Sequence, residues 1–342
     1  MAKKVSMKDI ANRVGVSTAL VSYVLNGLEK EKRVGLEIAE KIHAAAKELK
    51  YQPNQIARSL RKGTTNTIGL IVADISNPFF GRLARVIEDE VTRYNYTVIF
   101  GSSDEDCSKS SALMETLLNR QVDGLLITPT EGCSEKIQSL IKRDIPVVLI
   151  DRYFPYISTN HVVLDNYQAT RNAVSCFISN GYNKISMVAY KLFLVHMQER
   201  IRGYREGMKD NGLESNILVK EVRYNNVKSD LNTIMDELLA EKKKNALLFA
   251  TNALSIYGLY AIRRSSIKVP EDLAVIGFDG HEVFDFFQPP ISYIKQPLEE
   301  MGKESVKILL EQIKGSRKTV HTELKNQFIE TASSGHKIYK HA

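Results

Sequence analysis

The chain has 342 residues, 43% hydrophobic and 25% charged, with three cysteines and a net charge of +7. That length calls for two or three folding units, no apolar run approaches the roughly 18 residues of a membrane span, and the N-terminus carries no apolar segment of a secretory signal. Residues 1–65 hold 13 Lys+Arg against 6 Asp+Glu while the remainder holds 34 of each, so the whole basic excess sits in the first fifth, as in a nucleic-acid-binding module attached to a neutral body.

The elements follow in order. Over residues 7–14, Ile10, Ala11 and Val14 share one face of a short amphipathic helix, which Gly15 ends. Ser17 is a good N-cap for a second helix to about Leu25, with Val21, Val24 and Leu25 on its buried side and Asn26-Gly27 as its stop. Leu28 to Arg33 is a charged loop. A third helix is expected over about 36–49, with Ile38, Ile42, Ala45, Ala46 and Leu49 inward. This is a three-helix unit that opens with helix–turn–helix. Tyr51-Gln-Pro-Asn54 stops the third helix. A short helical stretch, about 54–61, follows; alone in water it is too short to persist. Residues 62–66 read as a linker.

From Thr67 the texture changes to apolar strands alternating with amphipathic helices. Strands are expected at 68–73, 97–101, 122–128, 146–151, 184–190, 246–250 and 273–278. Helices are expected at 79–94, 108–120, 167–180, 200–211 and 252–264. Continuous apolar strands between helices indicate parallel sheets of doubly wound type, an α/β fold. The two sets, separated near 160–166, suggest two tandem subdomains. In such sheets ligands bind beyond the carboxyl ends of the strands, where Asp74, Asp151, Arg152, Asn252 and Asp279 stand. Cys107, Cys133 and Cys176 lack metal spacing and read as free thiols in a reducing compartment. Neither a metal nor a cofactor is expected.

A recognition helix buries one face and offers the other to the major groove. Ser17, Thr18, Ala19, Ser22, Tyr23 and Asn26 lie mostly off the buried stripe. Thr18 and Tyr23 suit hydrogen bonds to bases and Ala19 a thymine methyl; Ser17, Ser22 and Asn26 suit phosphates.

These residues carry a family resemblance. Val5-Ser-Met-Lys-Asp-Ile-Ala-Asn-Arg-Val-Gly-Val-Ser-Thr-Ala-Leu-Val-Ser-Tyr-Val-Leu-Asn-Gly27 resembles the head of the lac repressor (LacI/GalR) family, and so does Leu49-Lys-Tyr-Gln-Pro-Asn-Gln-Ile-Ala-Arg-Ser-Leu60. Thr67-Ile-Gly-Leu-Ile-Val72, Asp74-Ile-Ser-Asn-Pro-Phe-Phe80, Val122-Asp-Gly-Leu125, Val275-Ile-Gly-Phe-Asp279 and Pro289-Pro-Ile-Ser-Tyr-Ile-Lys-Gln-Pro297 extend it over about 5–335. The resemblance implies a helix–turn–helix domain at 1–50, a hinge helix and linker at 51–66, and an effector and dimerisation domain at 67–335. That domain resembles periplasmic sugar-binding proteins, its first subdomain at about 67–163 plus 296–325 and its second at 164–295 plus 326–335. It implies a cytoplasmic homodimeric repressor on palindromic double-stranded operator DNA, with no membrane partner. In the hinge, Asn54, Ala57 and Leu60 are implied DNA contacts, Leu60 wedging into a base step of the minor groove. The family pattern is broken in places. The loop after Gly27 is longer, Gly35 replaces a Ser or Thr N-cap, Leu20 replaces a Thr, and Tyr23 stands where some members carry Arg.

The resemblance also implies a small-molecule effector, most simply a sugar, in the cleft. Asp151 and Asp279 match ligand-contacting aspartates, and Arg200 matches the effector arginine. Asn252 matches the asparagine of an Asn-Asp pair, although Ala253 follows it here. Phe79 and Phe80 lie where members place ligand-facing aromatics, and Arg152 joins them from its strand end. Carboxylates and an arginine fork suit vicinal hydroxyls, and aromatic faces suit sugar C–H surfaces. The competing roles are structural: caps or loop anchors for Asp151, Asp165 and Asp279, an ion pair for Arg200, core packing for Phe79 and Phe80.

Other readings stay open. The same fold serves a nucleobase or a protein corepressor. A transport solute-binding protein shares the cleft but leaves residues 1–65 unexplained. An enzyme is not expected, for the chain has no glycine-rich phosphate loop, no Gly-x-Ser-x-Gly elbow and no His/Cys cluster. Leu60→Ala is expected to weaken operator binding with little loss of global stability; unchanged affinity in a gel-shift titration would remove the wedge role.

Overall fold

The computed structural model describes residues 5–52, 63–240 and 245–335. Two compact units result, Met1–Thr65 and Asn66–Ala342.

The first holds α1 (Met7–Val14), α2 (Thr18–Leu25) and α3 (Leu36–Glu48). Ser6 and Asp9 form a capping box on α1: the Ser6 N–H donates to Asp9 Oδ2 at 2.8 Å, and Ser6 Oγ accepts from the Asp9 N–H. Gly15 ends this helix at φ 76°. Ser17 Oγ accepts from the Leu20 N–H at 3.2 Å. The core is Ile10, Ala11, Val21, Val24, Ala39, Ile42 and Ala45. Ile38 corrects the expected stripe. It is 38% exposed, because Ala39, Ile42 and Ala45 already fill the face toward α1 and α2 and rotate Ile38 to the flank. Gly35 offers α3 no side-chain cap. The stretch 54–61, with Asn54, Ala57 and Leu60, lies outside the described residues.

The second unit contains two six-stranded sheets. One is built from β1 (Thr67–Val72), β2 (Thr97–Ser102), β3 (Gly124–Ile127), β4 (Val147–Ile150) and β5 (Asn160–Leu164), with β11 (His321–Leu324) at its edge. Its order is β11-β5-β4-β3-β1-β2, all parallel. The other is built from β6 (Ile185–Tyr190), β7 (Leu218–Val222), β8 (Asn245–Phe249), β9 (Leu273–Phe278) and β10 (Ser292–Lys295), with β12 (Gln327–Ile329). Its order is β12-β10-β9-β8-β6-β7, with only β12 antiparallel.

The first lobe carries α4 (Pro78–Thr92), α5 (Cys107–Asn119), α6 (Ser134–Lys142) and α12 (Leu298–Ile313); the second carries α7 (Asn166–Ser179), α8 (Val195–Lys209), α9 (Val227–Ala240), α10 (Asn252–Arg264) and α11 (Glu282–Phe286). The inner strands are buried from end to end, as in β3, β4 and β9, because helices cover both faces of a parallel sheet. The chain passes between lobes three times, after β5, β10 and β11.

Several elements differ from expectation. The stretch 160–166 is not a separator: β5 fills most of it and belongs to the first sheet. The helix expected from Arg200 begins at Val195, because His196 and Met197 are buried as part of the same face. Edge strand β7, Leu-Val-Lys-Glu-Val, is only partly buried and lacks an apolar run. Cys107 and Cys133 are not free thiols. They are joined as a disulfide with Cα atoms 5.4 Å apart, and only Cys176 is free. The helix starts after β2 and β3 bring them together, which a separation of 26 residues cannot disclose.

Helices α7 and α8 pack closely because Gly203 has no side chain. A Cβ there would lie 2.3 Å from the Tyr167 carbonyl oxygen. Gly203→Ala is therefore expected to destabilise the fold by about 1–3 kcal/mol, the usual cost of overpacking. A thermal melt with an unaltered midpoint would contradict this packing.

Candidate effector cleft and DNA-reading helix

In the N-terminal unit, Ser17, Thr18 and Ala19 are exposed at the start of α2, while Ser22, Tyr23 and Asn26 are half-buried. Asn26 Nδ2 donates to the Ser22 carbonyl at 2.6 Å and to Ser22 Oγ at 3.2 Å. Two side chains expected to meet phosphates thus also tie off the end of α2. The exposed N-terminal turn is the part free to meet a groove.

In the larger unit, the carboxyl ends of both sheets face one cleft, and six of the seven expected effector residues line it: Phe79, Phe80, Asp151, Arg152, Arg200 and Asp279. The seventh, Asn252, opens on an adjoining groove of about 760 Å³. Its Nδ2 donates to the Asp279 carbonyl at 3.0 Å. Asp151 and Asp279 are placed alike. Each follows the last residue of an inner strand, and each turns at positive φ, 71° and 57°. Their amides continue the ladders, donating to the Val162 and Ile294 carbonyls at 3.0 and 2.8 Å. Non-glycine residues adopt this conformation at a cost, and such residues cluster at functional sites.

The cleft charges have buried partners, carboxylates for Arg152 and neutral groups for Arg200 and Asp279. Arg152 Nη1 donates to Glu105 Oε2 at 2.8 Å and Nε to Asp151 Oδ2 at 3.2 Å, with all three side chains at most 10% exposed. Burial opposes the Arg152 charge, but Glu105 and Asp151 outweigh it and hold its pKa above the ordinary value. Arg200 donates from Nε to Asn166 Oδ1 and from Nη1 to the Ala250 carbonyl, both at 2.7 Å. Its Cζ lies 3.6 Å from the Phe278 ring centroid, a cation–π contact. Burial lowers its pKa while Asp279 and Asp151 oppose the shift. The Asp279 carboxyl is pushed up to about 6 by burial, against the pull of Arg200 and of Gln296, whose Nε2 donates to Asp279 Oδ1 at 2.7 Å. His196 is driven well below its ordinary value by burial and then by Arg152 and Arg200, which keeps it neutral.

Phe79 and Phe80 meet edge to face with centroids 4.9 Å apart. They serve core and cleft together, belonging to the first lobe's core while lining the cavity. Asp165 takes the structural role, capping α7 through Gln168. Glu105, His196, Gln296, Tyr190 and Tyr224 also line the cleft and are not among the expected effector residues. Gln296 lies inside a motif that the sequence displays; Glu105 sits in the loop after β2, where Ser-Asp-Glu-Asp reads as plain surface. The space left in the cleft is about 50 Å³, room for a few waters. Two buried polar atoms on residues that line it, His196 Nδ1 and Gln296 Oε1, have no hydrogen-bond partner, nor has Asn252 Oδ1 on the adjoining groove. Among the described residues no group of three or more His, Cys, Asp or Glu is placed to hold a metal, and no helix is long and apolar enough to cross a membrane.

A basic helix–turn–helix unit joined to a two-lobed α/β unit with a polar cleft between its sheets defines a class, the DNA-binding regulators governed by a small molecule. Residues 6–54 match the family model of bacterial regulatory proteins of the lacI family, and residues 174–334 match the periplasmic binding protein-like domain. The ribose operon repressor of Escherichia coli K12 is 31% identical over 315 residues, covering 90% of this chain and 93% of that protein. The transcriptional repressor PurR of Vibrio campbellii is 33% identical over 316 residues, covering 90% and 92%. Among solved structures, the Lac repressor dimer bound to operator and the anti-inducer ONPF superposes with a TM-score of 0.85 at 22% identity, covering 97% of this chain and 99% of that one. A LacI family regulator from Enterococcus faecium with bound ribose gives 0.69 at 25% identity, covering 77% and 97%. The chain belongs to the LacI family of bacterial regulatory proteins, and it is a DNA-binding transcription regulator.

Asp279 carries a pH signature. Its carboxyl, raised from 3.8 to about 6, holds its proton more tightly folded than unfolded. The stability it contributes is complete below about pH 4 and is lost as pH rises through about 6, on the order of 3 kcal/mol in all. Asp279→Asn, neutral throughout, should gain on the wild type over that interval. Urea denaturation at pH 4 and pH 7 showing a constant difference between the two would refute this. His196 has the opposite sign but is common to both proteins, so it cancels.

Proposed function

We propose that the protein is a homodimeric cytoplasmic repressor whose cleft takes an uncharged sugar. The carrying observation is a pair of buried, partnerless polar atoms, His196 Nδ1 and Gln296 Oε1, on residues lining one small cavity, with a third, Asn252 Oδ1, on a residue of the adjoining groove. Buried polar atoms are otherwise almost always hydrogen-bonded, so their grouping points to a ligand. Asn252 Oδ1 and Gln296 Oε1 are acceptors and call for donors, and a sugar is a dense array of hydroxyl donors. The carboxylates of Asp74, Glu105, Asp151 and Asp279 outnumber Arg152 and Arg200 on the cleft wall, which disfavours a phosphorylated or otherwise anionic ligand. Phe79, Phe80 and Tyr224 supply the apolar faces that sugar C–H surfaces need. The ribose operon repressor relative and the ribose-bound structure agree with this reading.

The second reading, a purine, is favoured by those same aromatic rings and by the PurR relatives. Because ligand groups come from both lobes, an occupied cleft fixes their mutual angle, and only a ligand with different affinity for two such states can act on DNA binding. Thr18, Ala19 and Tyr23 contact bases, Ser17, Ser22 and Asn26 contact phosphates, and the cleft performs no chemistry.

A thermal-shift screen with D-ribose, cellobiose and hypoxanthine tests the reading. A sugar is expected to raise the midpoint, and Arg200→Lys, which loses the guanidinium fork, is expected to weaken that sugar's binding by roughly tenfold or more, about 1.4 kcal/mol. Stabilisation by hypoxanthine alone would give the second reading precedence, and a sugar response untouched by Arg200→Lys would place the site elsewhere.

A further inference from the structure

We propose that Cys107 and Cys133 form a reversible thiol–disulfide site, oxidised by a hydroperoxide, that alters the ligand cleft and through it DNA binding. Cys107 is the first residue of α5 and half-exposed; Cys133 caps α6 and is 1% exposed. Their Cα atoms, 5.4 Å apart, lie within the span that a disulfide bridges. The reduced state is accommodated in the same place. Cys133 Sγ has the Cys107 carbonyl at 3.4 Å to donate to and Thr130 Oγ1 at 3.2 Å to accept from, and Cys107 Sγ lies 4.0 Å from Ser111 Oγ. Neither sulfur is stranded when the bond opens, so the pair can cycle.

The chemistry balances with one peroxide. The more exposed Cys107 sulfur attacks a peroxide oxygen, giving a sulfenic acid and releasing water (an alcohol from an alkyl hydroperoxide). The Cys133 thiol then attacks the Cys107 sulfur, forms the S–S bond and expels a second water. Two thiols lose two electrons and two protons, and the peroxide is reduced. A DNA-binding regulator works among thiol reductants, where disulfides are transient and serve as sensors. Cys176 stands apart from the pair, its thiol pushed up to about 12 by burial and Glu330.

The link to the cleft runs through two residues of chain. Glu105, which accepts from Arg152 Nη1 at 2.8 Å, lies just before Asp106 and Cys107. Asp104 and Glu105 both hold positive φ, 52° and 57°, a conformation that L-residues leave when allowed. The disulfide anchors the end of this loop to α6. Once reduced, the loop can relax, the hold of Glu105 on Arg152 loosens, and the arginine becomes available to a ligand. This coupling rests on the cleft being the effector site; formation of the bond does not.

The test uses the full chain. After reduction and unfolding in denaturant, its three cysteines should all be alkylated. After hydrogen peroxide only Cys176 should be, with the Cys107 and Cys133 peptides cross-linked in the mass spectrum and released by dithiothreitol. A DNA fragment selected from random sequence by the reduced protein should then bind the two forms with affinities differing by roughly fivefold, the small end of coupling between sites. Cys107→Ser and Cys133→Ser should abolish the difference, either serving if the other fails to fold, and Cys176→Ser should keep it. Three alkylatable thiols after peroxide, a cross-link through Cys176, or equal DNA affinities of the two forms would each overturn the proposal. A sugar response lost in Arg200→Lys beside redox-indifferent DNA binding would reject the switch and leave the cleft reading intact.

Discussion

Charge buried between two sheets is the constraint on which the ligand-binding unit depends. An ion withdrawn from water costs several kcal/mol unless partners replace its hydration. Here Arg152 receives Glu105 and Asp151, and Arg200 receives Asn166, the Ala250 carbonyl and the Phe278 ring. Each arginine is satisfied within its own lobe: Glu105, Asp151 and Arg152 follow first-lobe strands, and Asn166, Arg200, Ala250 and Phe278 belong to the second. The acceptors left over, on Asn252 and Gln296, mark where this internal settlement stops short. Under the proposed function, a ligand that donates hydrogen bonds completes it.

The same constraint explains the strand ends. A parallel sheet buried on both faces offers polar positions only where its strands stop. Asp151 and Asp279 occupy those positions at matching points of the two sheets and bend the chain at positive φ. Gln296 sits in one of the three passages between lobes and lines the cleft. It thus both faces the cleft and connects the lobes, so under the proposed function occupancy and lobe angle are not separable quantities. The DNA-reading unit is built on another scale. Seven buried side chains form its core, and capping by Ser6, Asp9 and Ser17 stabilises its first two helices.

Most of the fold is legible in the primary structure because its signals are local. Ser17 before an apolar-periodic run marks α2, and runs such as Leu273–Phe278 mark buried strands. The elements that escape notice have mixed patterns: β7 at a sheet edge, β5 between apparent domains, and Ile38 on a helix with two competing apolar faces. The site divides in the same way. Asp151, Arg200, Asn252 and Asp279 are recognisable through motif and strand-end position. Glu105, His196 and Tyr224 look like ordinary surface or helix residues until the lobes close around them.

The order of residues alone determined that a basic helical reader precedes two α/β lobes, and which strand ends carry polar groups, because capping, periodicity and charge placement act over a few residues. Only the tertiary structure decided that Arg152 is neutralised by Glu105 and Asp151, that Asn252 and Gln296 keep unpaired acceptors, and that Cys107 meets Cys133. Those facts depend on distances between segments tens to hundreds of residues apart. Such distances are set by sheet order and lobe packing, which no short stretch of sequence encodes.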